Sequence, residues 1–188
     1  MLDAAAIKFR ENGISGVGVN AIALAADVTS GAIYSQFTSK DALFGAVVGE
    51  AMERLIAGLV RFRAEGNDDW FIGFVEYYLS AEHLANVGGG CGFPSLSLDV
   101  GRSEDATRAE YAKALERAVT VVTHDKDKRS SVLFLLSSLL GAVTILRATK
   151  DEALRQTLLN EVLALARSAG LTSSEPPTLP TSKSFGKK

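Results

Sequence analysis

The chain has 188 residues, 20 Lys and Arg against 22 Asp and Glu, a formal net charge of −2, 47% apolar residues and one cysteine. That is a globular composition with room for a substantial core. It excludes a disordered chain, a strongly basic nucleic-acid coat, an internal disulfide and a multi-cysteine zinc site. The N-terminus runs directly into an amphipathic helix without a secretory leader pattern. The longest apolar run, Val132 to Ile145, is short for a bilayer and carries two serines, so a cytoplasmic protein with no membrane partner is expected.

Helical periodicity runs throughout, and the expected fold class is all-α. Leu2 to Asn12 reads as the first helix, with Leu2, Ala5, Ala6 and Phe9 on one face and Gly13 as its stop. A second helix follows Gly18. The stretch Val19 to Leu43 then reads as helix, tight turn at Asp27, short helix, and the start of a third. Ala23, four residues before the turn, supplies the small side chain that a close helix crossing needs. Ile22, Ala26, Val28 and Ile33 recur at inward spacing. Thr29 stands where a hydroxyl caps the short helix, about Thr29 to Gln36. Its outward residues Thr29, Ser30, Ala32, Ser35 and Gln36 are small and polar, a face that fits a DNA major groove. On spacing alone, an ordinary helical hairpin fits as well.

The pattern Phe9-Arg10-Glu11-Asn12-Gly13, Val19-x-x-Ile22-Ala23, then Ala26-Asp27-Val28-Thr29-x-Gly31-Ala32-Ile33-Tyr34-x-x-Phe37-x-x-Lys40-x-x-Leu43 resembles the DNA-binding domain of the TetR family of bacterial transcriptional regulators. The resemblance implies a helix-turn-helix domain over residues 1–45, a helical ligand-binding and dimerisation domain over 46–171, and a tail over 172–188 whose Ser, Thr, Pro and Lys content predicts disorder. It implies a homodimeric repressor on double-stranded operator DNA, released by a small apolar or aromatic inducer. Carried onto this chain, the DNA-contacting positions are Gly18, Thr29, Ser30, Gly31, Ala32, Tyr34, Ser35, Gln36 and Lys40. Tyr34 offers its phenol to a phosphate, and Gln36 stands where relatives often carry His. Val17-Gly18 replaces the usual hydroxyl at the start of the second helix, leaving only backbone N–H groups to face a phosphate. Asp27 replaces the usual turn glycine, and Asp tolerates the left-handed region better than most residues. Residues 1–45 hold Lys8, Arg10 and Lys40 against Asp3, Glu11, Asp27 and Asp41, so 3 − 4 = −1, which is not a strong phosphate-binding balance.

A long helix is expected from Lys40 to Arg63, capped by Ser39 and ending near Gly66. In this layout it is the hinge between the domains, moved by packing changes near Trp70–Tyr78 and Leu96–Leu115. Asp68 or Asp69 should cap the next helix, Trp70 to Asn86, whose aromatic residues suggest a ligand site. The candidate ligand-binding residues are Trp70, Phe74, Tyr77 and Tyr78, with Phe93, Leu96, Tyr111 and Leu115. His83 reads as a solvated or otherwise satisfied histidine. Val87 to Pro94 holds four glycines in five residues and lacks the Gly-Lys-Ser/Thr ending of a phosphate loop. It reads as a mobile loop able to gate a pocket. Cys91 is a candidate redox residue, because some TetR-like regulators of reactive or aromatic compounds have a Gly-Cys pair near this point. Without a nearby cation its simplest reading is an unreactive thiol.

Further helices are expected over Ser95–Val100, from Ser103-Glu104-Asp105 to about Val122, over Lys126–Thr149 with Asp125 as cap, and over Asp151–Ala169. The Lys126–Thr149 helix is apolar nearly all round, so it must be covered on every side. Together with the next helix it is expected to form a four-helix dimer interface through Leu135, Leu139, Val143, Leu146, Leu158 and Val162. Nothing in the sequence points to catalysis, a cofactor or a metal: His83 and His124 are the only histidines, and no catalytic or metal-ligand motif is present. Besides a regulator, the sequence admits a helical small-molecule-binding protein whose specific DNA binding is weakened or lost.

Overall fold

The computed structural model describes residues 1–171, and the expected disordered tail lies outside the described residues. Ten helices run in chain order: α1 Leu2–Gly16, α2 Val19–Ala25, α3 Ser30–Gln36, α4 Lys40–Glu65, α5 Trp70–Tyr78, α6 Ala81–Ala85, α7 Gly92–Val100, α8 Asp105–Val122, α9 Arg129–Ala148 and α10 Glu152–Ser168. No strand occurs among the described residues, so the all-α class holds.

The first three helices pack against the start of α4. Gly13 breaks α1 with φ 69°, where a Cβ is disfavoured. Asp27 takes φ 53° at the turn between α2 and α3. The Thr29 hydroxyl accepts from the Ala32 N–H at 3.1 Å and starts α3. Ile22, Ala23 and Ile33 are buried between these helices and Phe9, Leu43 and Phe44. The Phe9 and Phe44 rings meet edge to face at 5.4 Å, fastening α1 to α4.

Helix α4 is the spine of the molecule. Its 26 residues span roughly 39 Å, and it packs on α1, α5, α7 and α8. Ser39 caps it, accepting from the Ala42 N–H at 2.9 Å. Where α7 crosses it, a Cβ on Gly92 would lie 2.6 Å from the Ala51 Cβ, so the two helices touch backbone to side chain at that point.

Four boundaries differ from the sequence reading. The Trp70–Asn86 stretch is not one helix: α5 ends at Tyr78, and the Ser80 hydroxyl accepts from the His83 N–H at 3.2 Å to start α6. Asp69 begins α5 without a side-chain cap; Asn67 instead accepts from the Asp69 N–H. Asp125 turns the chain by accepting from the Asp127 N–H, and α9 starts only at Arg129. The Val87–Pro94 stretch is not all loop, since α7 starts at Gly92.

Helix α9 is 20 residues long with a mean hydropathy of 1.9, long and apolar enough in composition to cross a bilayer. Its extent exceeds the Val132–Ile145 run considered above. One side of it, including Val132, Leu135, Leu136, Leu139, Val143 and Leu146, is buried, and it packs on α10, α7, α8 and α6. That is the behaviour of a core helix in a bundle.

Candidate nucleic-acid interface and ligand cavity

The outer face of α3 is open. Thr29, Gly31, Ser35 and Gln36 are exposed and Ala32 is half-buried, while Tyr34 is 54% exposed and so free to project its phenol away from the core. All three Ser and Thr hydroxyls of this face are already engaged, Thr29 as the cap of α3. Ser30 Oγ donates to Asn20 Oδ1 at 2.7 Å and ties α3 to α2, and Ser35 Oγ donates to the Ala32 carbonyl at 2.8 Å. Gly18 precedes α2 in an extended conformation and is exposed. Lys40 Nζ donates to the Val17 carbonyl at 3.0 Å, which holds the ammonium beside Gly18 at the start of α2 rather than free in solvent. The predicted DNA-contacting set therefore comes together on one side of the N-terminal domain, with Tyr34 and Gln36 as its unengaged long side chains. Lys8 faces Glu11 at 3.9 Å. The third cation, Arg10, is buried and its Nε donates to the Gly88 carbonyl at 2.7 Å. Burial lowers the Arg10 pKa, with the nearby Arg54 charge acting in the same direction.

In the larger domain a cavity of about 400 Å³ opens between α4, α5, α6 and the loop 86–91. Of the predicted ligand residues, Phe74, Tyr77 and Tyr78 line it. Trp70, Phe93, Leu96, Tyr111 and Leu115 do not. Trp70 is buried edge-on against Phe71 at 5.5 Å, next to Gly66. Leu96 is core, and Leu115 packs against that core half-buried. Phe93 stacks on Tyr111 at 6.2 Å, and the Tyr111 hydroxyl pairs with Ser97 Oγ at 2.7 Å. These groups are satisfied within the protein.

The remaining wall comes from residues that sequence reasoning did not select, among them Arg54, Arg61, Phe62, Glu82, His83 and Asn86. Phe62 meets Phe74 edge to face at 5.6 Å and Tyr77 at 5.5 Å. His83 is buried, not solvated: it is 6% exposed and its ring lies 4.3 Å from that of Tyr78. Burial lowers its pKa below the usual 6.5, and a weak hydrogen bond to the Tyr78 backbone opposes that shift. Burial pushes the Tyr78 phenol well up and the Cys91 thiol up, each acting on the other across the cavity wall. Cys91 is thus held as a neutral thiol, against the low pKa that a redox role favours. The break at Ser80 was readable as a capping hydroxyl. The approach of α4 to α5 and α6 leaves no local mark in the sequence.

Two tethers join this region to the N-terminal domain. Arg10, on α1, holds Gly88 of the cavity loop. Asp99, on α7, accepts from the Ile14 N–H at 2.9 Å, just past the break in α1. Behind the loop, Arg147 of α9 donates to the His83 and Leu84 carbonyls and to Ser95 Oγ at 3.1–3.2 Å, fixing α6 in place.

The predicted interface residues Leu135, Leu139, Val143, Leu146 and Val162 are buried inside the single chain, and only Leu158 stays half-buried. These side chains serve the chain's own core. Helix α9 has two apolar stripes, and the leucine-rich one is used for the chain's own core. The other carries Phe134, 61% exposed, and Ile145, 47% exposed, separated by Ser138 and Gly141; Leu154 of α10 is 49% exposed.

A helix-turn-helix domain with an open second helix, braced on a larger helical domain that holds a cavity, is the architecture these residues build. Residues 1–47 match the family model described as bacterial regulatory proteins, tetR family. The fold is shared along nearly the whole chain with NemR of Escherichia coli in its reduced form: TM-score 0.73, 18% identity, covering 95% of this chain and 97% of that one. A TetR-family regulator from Cytophaga hutchinsonii gives TM-score 0.70 at 21% identity over 89% and 91% of the chains. The fatty acid degradation regulator FadR from Bacillus halodurans gives 0.67 at 18% over 88% and 95%. No curated protein matches the sequence.

Proposed function

We propose that this chain is a ligand-responsive, non-enzymatic transcriptional repressor of the cytoplasm. It binds operator DNA as a homodimer and is released by a small apolar or aromatic inducer. The observation that carries this reading is the pair of tethers: the loop that walls the cavity and the helix that follows it are each hydrogen-bonded to α1 of the DNA-binding domain. A molecule that displaces the 86–91 loop acts on Gly88 and, through Arg10, on α1. An inducer favours whichever conformation it binds better, and the two recognition helices lose their spacing if that conformation is tilted. The dimer pairs α9 and α10 through Phe134, Ile145 and Leu154, because exposed large apolar side chains on one face are the mark of an interaction surface. Tyr34, Gln36 and the Lys40 ammonium meet phosphate or base edges.

One observation favours a second reading, a helical ligand-binding protein with weakened operator binding: all three cations of the first 45 residues are engaged within the chain. Fluorescence anisotropy on a fragment of the neighbouring promoter, with competitor DNA at two salt concentrations, separates the two. The repressor binds tightly and resists competitor. Weak binding that disappears with salt gives the second reading the lead.

A further inference from the structure

We propose that the cavity between α4, α5, α6 and the 86–91 loop takes an uncharged hydroxyaromatic molecule, its ring against Phe62, Phe74 and Tyr77 and its hydroxyl on the His83 imidazole. This deepens the regulator reading and rests on it only for calling the molecule an inducer.

The shape of the wall sets the ring. The Phe62 ring lies 5.6 Å from that of Phe74 and 5.5 Å from that of Tyr77, presenting faces and edges against which another aromatic ring packs. A space of about 400 Å³ admits one or two fused rings and little more.

The polar floor sets the substituent. His83 is 6% exposed; the Tyr78 backbone is a weak partner for its N–H, which leaves the lone pair of the second nitrogen unmet, and a buried polar group without a partner is costly. A neutral imidazole has one N–H to give and one lone pair to receive. A hydroxyl meets the lone pair by donating. A carboxylate has no proton to give it, and an ammonium would bring a full charge into the cavity. The Tyr78 hydroxyl, buried with the Cys91 thiol as its hydrogen-bonding neighbour, borders the same floor.

The charges around the cavity argue for a neutral molecule. Arg54 is at the rim, tied to Asp3 at 2.8 Å and to Glu50. Arg61 is exposed at the same rim, and Glu82 opposes it in sign. Arg10 and Arg147 stand behind the wall with their donors on backbone carbonyls and Ser95. Arg54, Arg10 and Arg147 have donors engaged within the chain, and the Arg61 guanidinium lies over the Phe62 ring at 5.6 Å. Their field suits the electron-rich oxygen of a hydroxyl without the desolvation cost of a full charge.

Isothermal titration of the full chain with 2-naphthol, 2-naphthoate and naphthalene tests the proposal. The naphthol should bind about ten-fold tighter than either of the others. His83→Leu should lower naphthol to the level of naphthalene while naphthalene binding persists, which also shows that the variant is folded. Should that variant not fold, side-chain nitrogen NMR of the unaltered chain still decides, because His83 and His124 are its only histidines and naphthol must move the His83 signals alone. Equal or tighter binding of naphthoate, survival of the preference in His83→Leu, or no binding of any probe overturns the proposal. Operator binding measured on the same preparation keeps the two readings apart. Intact operator binding with no naphthol preference sinks the ligand class only. Naphthol preference without operator binding sinks the regulator and leaves the site.

Discussion

Cutting the Asp99 tether should loosen the junction between the two domains. Asp99 Oδ2 accepts from the Ile14 N–H at 2.9 Å, and its side chain is 13% exposed. Asp99→Ala removes a charged acceptor and leaves a part-buried backbone N–H unpaired. Such bonds contribute about 1.5–3 kcal/mol, and the remaining exposure favours the lower half of that range, near ~2 kcal/mol. The other partner, Arg102, is 4.0 Å away and 69% exposed, so its loss adds almost nothing. For a chain of this size the melting temperature should fall by about 4–8 °C. Asp99→Asn keeps an acceptor in place and should lose roughly half as much. Circular dichroism melts measure the loss, and amide exchange at Ile14 should accelerate more than at residues in the middle of α4. A variant that melts with the wild type, or one in which Ile14 exchanges no faster, would refute the claim that this bond holds α1 to α7.

At the DNA face, Tyr34→Ala should weaken operator binding and leave the melting temperature within about 1–2 °C, since the side chain is half exposed. Gln36→Ala should relax specificity at one operator position if it reads a base, or lower affinity uniformly if it meets phosphate; unchanged operator titrations for both variants would remove them from the interface. Ile145→Asp should turn the dimer into monomer in sedimentation experiments, because it places a charge in the middle of the exposed α9 stripe. Gly13→Ala should cost about 1–2 kcal/mol, from the left-handed φ of 69° and a Cβ 3.0 Å from Asp99 Oδ2, read out by urea denaturation. Finally, His83 titrates below 6.5 when folded, so the unfolded chain takes up its proton first. Its contribution to stability is complete above pH 6.5 and is lost as the pH falls below it. His83→Leu should flatten that dependence between pH 7.5 and pH 5.5, about one unit either side of the reference value.

The N-terminal domain was legible because its determinants are local. Thr29 as cap, Gly13 as stop and Asp27 in the left-handed turn each depend on a few neighbouring residues. The cavity was legible in half. Phe74, Tyr77 and Tyr78 share a helical face and could be grouped from spacing, but Phe62, Arg54 and His83 reach them from other helices. The leucine stripe of α9 was legible as apolar but not as to what covers it. Along α9, periodicity finds two apolar stripes and cannot say which one the rest of the chain will cover. Arg10 and Arg147 did leave a signal, a lone arginine on an otherwise apolar face. Such a guanidinium has to find carbonyls, and here it finds Gly88, His83 and Leu84.

For the proposed regulator, the engagement of Lys8 with Glu11, Arg10 with Gly88 and Lys40 with Val17 has a consequence for how it finds its site on a chromosome. Random DNA retains proteins through phosphate charge and counterion release. A surface that offers little of either holds random DNA only briefly. Its search proceeds by repeated collisions from solution rather than by long one-dimensional slides. Few copies are then sequestered along the genome, so a small cellular pool keeps its operators filled. When the inducer arrives, little electrostatic adhesion is left to delay departure.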